Sequence, residues 1–437
     1  MAAVVEQRDP GAEPVPAPRI RAFERLGFGM FVHWGLYSQL QRGEWVWTHH
    51  RMKGKDYLPL FKGFTAADFD ATALVRQAKR AGCRYVVLTT RHHEGFSLYD
   101  TRGLNTFDAP HSPAGRDLVA EFSAACEAEG MGKFFYHTTL DWWHKDFDAP
   151  GRWNAYLDYL NRSVDILCTR YGKVDGLWFD GNWARKGRDW KEDALYKLIR
   201  RRQPEAIIVN NSSTGALGAE CHPEVDIRTF EQGRPTRPDR RGKTKYTAIE
   251  MCDTIHSHWG ISTEDFSQQA PGAMIEKLAL CRKVGGNYLL NVGPTPGGAI
   301  PAYDAALLDI VGRWTAINDE ALHDAEPTAL QCHGQDFVLR KGKVFYYFAH
   351  HLEIHENVHL HSGDGAGPKA VLGALPPVKR VRWLDNGEDL AFTQAKAPAL
   401  KPAAGRQDRP AESLFAFRAT RWPYGRNQVV RVARIDT

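Results

Sequence analysis

Apolar positions along the chain follow two rhythms. From about residue 28 to 320, short near-continuous apolar runs alternate with stretches whose apolar positions recur every three to four residues. The runs are FGMFVHWG (28–35), CRYVVLTT (83–90), KFFYHTT (133–139), VDGLWFDG (174–181), AIIVNNS (206–212), EVDIRTF (224–230), YTAIEM (246–251) and NYLLNVGP (287–294). Their length and their β-branched and aromatic content predict eight strands buried on both faces. Between them, Ala71, Leu74, Val75 and Ala78 mark one helical face over 68–81. Stretches 117–130, 152–171, 190–202, 271–284 and 302–318 also predict helices, with Gly130 suited to a C-terminal cap and Pro271 to a first turn.

Eight such strands with helical crossovers predict a parallel, TIM-like (β/α)8 barrel. It is irregular, because between Glu224 and Tyr246 no helix is predicted where one is due, only an Arg- and Pro-rich loop after the sixth strand. After Ala325 the rhythm becomes period two, in FVLRKGKVFYYFAH, ENVHLHSG, KRVRWLD, SLFAFRA and QVVRVARID. That predicts a small antiparallel β-sandwich domain. The expected organisation is a flexible lead-in over 1–20, a barrel over 21–325 and a sandwich over 326–437, with 394–410 as a loop.

Composition narrows the class. Hydrophobic residues make up 43% of 437, which excludes whole-chain disorder. Lys and Arg total 57 against 52 Asp and Glu, a net +5, too mild to call for a nucleic-acid or membrane partner. No apolar stretch reaches the roughly 18 residues of a membrane span. The N-terminus lacks a basic start and an apolar run, so a cytoplasmic location is expected. Seven dispersed cysteines without a CxxC pair predict reduced, mostly buried thiols and no zinc site.

Barrel enzymes carry their chemistry at the C-terminal strand ends. Those ends supply His33 and Trp34, then Glu44 and Trp45; His92, His93 and Glu94; Tyr136, His137 and Asp141; Trp178 and Asp180; Glu231; and Glu250, with His258 and Trp259 beyond. Carboxylates and imidazoles among tryptophans suit a sugar, whose hydroxyls need polar partners and whose apolar face needs an aromatic wall. Each has a plainer reading. Asp180 also reads as a turn cap, one of His92 and His93 as a core histidine, and Trp142, Trp143, Trp153 and Trp190 as core or loop anchors. His355, His359 and His361 read as surface residues of the sandwich.

Taken together, FGMFVHWGLYS, EWVW, RYVVLTTRHHEGFSLYDT, FFYHTTLDWWH, GLWFDG and VGGNYLLNVGPTPGGAIP resemble the α-L-fucosidases of glycoside hydrolase family 29 over roughly residues 20–320. The resemblance implies a barrel followed by a β-sandwich, and a retaining exo-glycosidase that releases terminal α-L-fucose through a fucosyl-enzyme. It implies Asp180 as nucleophile and Glu231 as acid/base, with Glu250 as the alternative acid/base. Substrate contacts would come from His33, Glu44, Trp45, His92, His93, Tyr136, Trp178 and Trp259. It implies no metal and no cofactor, and a fucosylated oligosaccharide or glycoside as partner. The family often has an arginine after the fifth strand, where this chain has Ser212. Two other classes compete: a metal-dependent barrel hydrolase, which EDTA would silence, and a non-catalytic sugar-binding protein, which would not turn over a chromogenic fucoside.

Overall fold

The computed structural model describes residues 11–211, 216–352, 367–396 and 413–437. Contacts divide them into two compact units, 1–269 with 286–309 and 270–285 with 310–437. Segments 270–285 and 310–325, expected with the barrel, thus cluster with the C-terminal strands. Ser212, His355, His359, His361 and most of 394–410 lie outside the described residues.

The first unit holds eight strands, β1 (Phe28–Val32), β2 (Tyr85–Arg91), β3 (Gly132–Thr138), β4 (Gly176–Asp180), β5 (Ile207–Asn210), β6 (Ile227–Thr229), β7 (Ala248–Thr254) and β8 (Asn287–Val292). All pairings are parallel, in the order β5-β4-β3-β2-β1-β8-β7-β6. Helices Ala71–Arg80, Leu118–Glu129, Trp153–Arg170 and Glu192–Arg202 make the first four crossovers. Asp70 and Asp117 cap two of them by accepting backbone N–H bonds from Ala73 and Ala120. As expected, no helix is described between β6 and β7.

Strand parity fixes what points inward. Phe31, Tyr85, Val87, Phe134, Tyr136, Trp178, Ile207, Val209, Ile227, Ala248, Cys252 and Leu289 form one buried cluster inside the barrel. Two glycines make room low in this core. A Cβ on Gly29 would meet the Tyr85 ring at 2.3 Å, and one on Gly176 the Phe134 ring at 2.2 Å. The lead-in is shorter than expected. Helix Pro18–Leu26 starts on a proline, and its fully buried Ile20 and Phe23 join this cluster. The Pro- and Ala-rich approach disguised a helix whose Pro18 sits in the first turn, where no N–H is needed.

No ladder joins β5 to β6. The gap is bridged at Asp226, whose N–H donates to Ile208 O at 2.8 Å. Its carboxylate accepts Ile208 N–H at 3.0 Å and pairs with Arg19 at 3.0 Å, Arg200 at 2.7 Å and Lys245 at 2.9 Å. Burial alone would raise its pKa, but these cations hold it below the usual aspartate range. Asp226→Ala leaves Arg19 and Lys245 without their acidic partner, Arg200 with Glu224 alone, and a buried N–H unsatisfied, so a loss of about 3–5 kcal/mol is expected in denaturant unfolding. Asp226→Asn should lose less, because it keeps an acceptor for Ile208. The charge contributes fully above the unfolded aspartate value of about 3.9, and its stabilisation disappears as pH falls through the lower folded value.

The second unit contains two antiparallel sheets, of four and five strands, facing a shared core that includes Tyr347, Trp383, Phe415, Phe417, Trp422 and Ile435. Arg431, fully buried, pairs with Asp385 at 3.0 Å and lies over the rings of Trp383 and Trp422. Five of the seven cysteines are buried; Cys221 is exposed and Cys332 half-buried. Among the described residues no helix is long and apolar enough to cross a membrane, and no group of three His, Cys, Asp or Glu could hold a metal.

Candidate active site

The inward parity of each strand continues past its C-terminal end and builds a pocket there. Phe31 is followed by His33, Trp178 by Asp180, Val209 by Asn211 and Thr229 by Glu231, each two residues on. With Trp45, His49, His92, His93, Tyr136, Trp183 and Trp259 these line a cavity of about 390 Å³. That volume lies within the range of small-molecule sites.

Asp180 ends β4, and Gly181 follows at φ +115°, a conformation that side chains resist. The turn then brings Trp183 back, so that its Nε1–H donates to Asp180 Oδ1 at 2.8 Å. Tyr136 O–H donates to Oδ2 at 3.2 Å, and His93 Nε2 lies 3.3 Å from the same oxygen. Burial pushes this carboxyl up, but the bonds from His93, Trp183 and Tyr136 more than offset it and hold Asp180 below the usual range. A carboxylate that is ionised at neutral pH thus faces the cavity.

Glu231 behaves oppositely. Burial and the negative charge of Asp180 push it up to about 7, against one bond from Asn211 Nδ2 at 2.6 Å. Two carboxyl groups in one pocket are therefore held in different protonation states. The register separates Glu231 from Glu250: Thr229 pairs with Glu250, so Glu231 stands two residues, about 6.6 Å, nearer the mouth. Glu250 lies in the barrel core, where it accepts bonds from Tyr85 O–H at 2.6 Å and Trp178 Nε1–H at 2.9 Å. It does not line the cavity; it fixes the tryptophan that does.

His33 and His92 sit deep and neutral. His33 donates from Nδ1 to Asn291 Oδ1 at 2.7 Å, while Asn291 Nδ2 donates to Trp259 O at 2.7 Å. That direction leaves His33 Nε2 as an acceptor. Burial lowers His33 to about 3 and His92 well below its ordinary value. His93 Nδ1 lies 2.7 Å from Thr138 Oγ1. Tyr136 stacks on Trp178 at 5.6 Å and on His92 at 5.7 Å. Trp45 packs edge-on against His93 and Trp142, and Trp259 packs on His33 and Phe31.

Of the expected contacts, His33, Trp45, His92, His93, Tyr136, Trp178 and Trp259 reach the cavity. Glu44 does not. Its Oε2 accepts the N–H groups of Trp259 at 3.0 Å and Gly260 at 2.8 Å, and so anchors the loop that carries Trp259. Trp34 is buried against Phe69, and Asp141 accepts the N–H groups of Trp143 and His144. Phe31, His49, Trp183 and Asn211 line the pocket without having been singled out. Parity alone would have found Phe31 and Asn211.

The alpha-L-fucosidase family model matches residues 12–320. The chain is 30% identical to the tissue alpha-L-fucosidase of Bos taurus over 351 residues, 73% of this chain and 71% of that protein. The solved alpha-L-fucosidase isoenzyme 1 from Paenibacillus thiaminolyticus is 32% identical with a TM-score of 0.79, covering 96% of this chain and 98% of that one. An alpha-L-fucosidase from Bacteroides thetaiotaomicron, trapped as a covalent intermediate with 2-fluoro-fucosyl fluoride, has the same fold at a TM-score of 0.75 and 20% identity, over 97% of each chain.

Proposed function

Because this chain belongs to the alpha-L-fucosidase family, we propose that its pocket releases terminal α-L-fucose from glycosides with retention of configuration. The observation that carries this is the pair of carboxyl groups in opposite protonation states, Asp180 ionised and Glu231 near neutrality. The trapped intermediate of the Bacteroides thetaiotaomicron protein supports a covalent route.

In the first step a carboxylate oxygen of Asp180 bonds to the anomeric carbon as the glycosidic C–O bond breaks, and Glu231 gives its proton to the departing oxygen. In the second step Glu231, now ionised, takes a proton from water. The water oxygen bonds to the anomeric carbon and Asp180 leaves. His33, His92, His93 and Tyr136 hold the hydroxyls. Phe31, Trp178 and Trp259 enclose the apolar side, which suits a sugar with a methyl group in place of a hydroxymethyl.

The reading is tested by following hydrolysis of an aryl α-L-fucoside by proton NMR. Release of α-L-fucose first, with the β-anomer growing in only by mutarotation, is expected; initial β-fucose or no turnover would overturn it. The pH profile of kcat/KM should be bell-shaped. Activity should fall above about pH 7 as Glu231 loses its proton. It should also fall on the acid side, at a pH below the ordinary aspartate value, as Asp180 is protonated. Glu231→Gln should remove the fall that begins near pH 7.

A further inference from the structure

Glu94 is a carboxyl group that the proposed reaction does not use, although it follows directly on the paired histidines. The chain turns after His92, with Gly95 N–H donating to His92 O at 3.0 Å and Gly95 at φ +81°. That turn sends the Glu94 side chain away from the cavity and behind the His92 ring. It is 1% exposed, and Gly35 makes room for it: a Cβ there would meet Glu94 Oε1 at 2.5 Å. The carboxyl lies beside the N–H groups of Leu36 and of Glu94 itself without closing a well-formed bond to either, and no side chain is bonded to it. Glu94 Oε2 is 3.6 Å from His92 Nδ1, which is buried and has no hydrogen-bond partner. The gap is slightly longer than a hydrogen bond and too short for a bridging water, so a small rotation joins two groups that otherwise lack partners.

Burial keeps both groups uncharged. It raises Glu94 to about 8, helped by Asp141, and holds His92 neutral. Two neutral groups can bond only with the acid as donor and the imidazole nitrogen as acceptor.

We infer that Glu94 is a positioning residue for the sugar-binding edge of His92, donating its carboxylic O–H to Nδ1 and so fixing the tautomer that carries a proton on Nε2. His33 is held in the opposite tautomer by Asn291, with its Nε2 as acceptor. The two imidazoles, 5.6 Å apart, then offer one donor and one acceptor to the hydroxyls of one sugar. This selects the hydrogen-bond direction as well as the position of those hydroxyls.

The inference rests on the reading of His92 as a sugar contact, and the experiment separates the two. Selective 15N-histidine labelling of the whole protein, with His92→Ala to assign the signals, reads the tautomer directly. Nδ1 unprotonated and Nε2 protonated is expected, and a proton on Nδ1 would overturn the inference whatever the variants do. On an aryl α-L-fucoside, Glu94→Leu should lose about 10–100-fold in kcat/KM and show mixed tautomers. Glu94→Gln, whose amide N–H can replace the acid proton, should stay within about threefold. Equal damage by Gln and Leu, or no loss with Leu, would overturn the role assigned to Glu94. Full activity of His92→Ala would overturn the sugar contact instead, and leave the tautomer measurement to decide the bond.

Discussion

Asp180→Gly is expected to lower kcat by on the order of 10⁴-fold or more, because no other group in the pocket can take over covalent attack. The carboxylate is poised by three donors, Trp183, Tyr136 and His93, which stay in place when it is removed. A small anion can enter the vacated space. Added azide should therefore restore part of the turnover and yield β-L-fucosyl azide, with one inversion where the native reaction has two. The measurement is a rate with and without azide on an aryl α-L-fucoside, with the anomer identified by NMR. Near-normal turnover by the variant, or an α-azide from it, would sink the assignment. Fold stability should change little, since Asp180 opens onto the cavity.

The second large effect is expected at Glu231, and it depends on the leaving group. A general acid matters most when the departing oxygen is a poor leaving group, where it typically contributes about 10²–10⁴-fold. Glu231→Ala should lose that much on a fucosylated oligosaccharide. It should keep rapid fucosylation by an aryl fucoside with an acidic phenol, then stall at the ester, because no base remains to activate water. Azide should speed that second step and give the α-azide, the opposite anomer from the Asp180 variant. Glu250→Ala should not show this pattern. That carboxyl is tied to Tyr85 and Trp178 in the core, so its loss should appear as lower stability and a higher KM. If Glu250→Ala instead shows the leaving-group dependence, the two assignments exchange.

What could be read from residues alone follows from how each feature is encoded. The eight barrel strands were legible because burial on both faces writes an apolar run into the chain. Strands such as Pro368–Gly373 and Phe392–Lys396 were not, because PKAVLG and FTQAK lack a clear alternation and much of each is exposed. Asp180 stood out as a charge ending an apolar run. Trp183 did not, because its place depends on the turn at Gly181, which brings a loop indole back onto the carboxylate. Glu44 shows the converse. The resemblance pointed to it as a substrate contact, and the structure shows one of its oxygens, Oε2, accepting two backbone N–H groups, a partner type that no sequence motif reveals. Position along the chain did not separate Glu231 from its alternative Glu250, whereas the pairing of Thr229 with Glu250 sets their heights.

The unladdered join between β5 and β6 bears on how this protein can change over generations. Inside a ladder, one inserted residue turns every following side chain to the opposite face, so insertions are purged. At this join bonds at Asp226 and between the side chains of Asn211, Thr229 and Glu231 carry the connection in place of a ladder, and the segments on either side can lengthen or shorten without shifting a ladder register. Asn211 and Glu231, the amide donor and the proposed acid/base carboxyl, flank that same join and bond to each other directly. The acid/base end of the pocket is therefore the part of the barrel most open to drift in loop length. Asp180, the proposed nucleophile, ends a strand laddered on both sides, to β3 and to β5, and is the part least open to it.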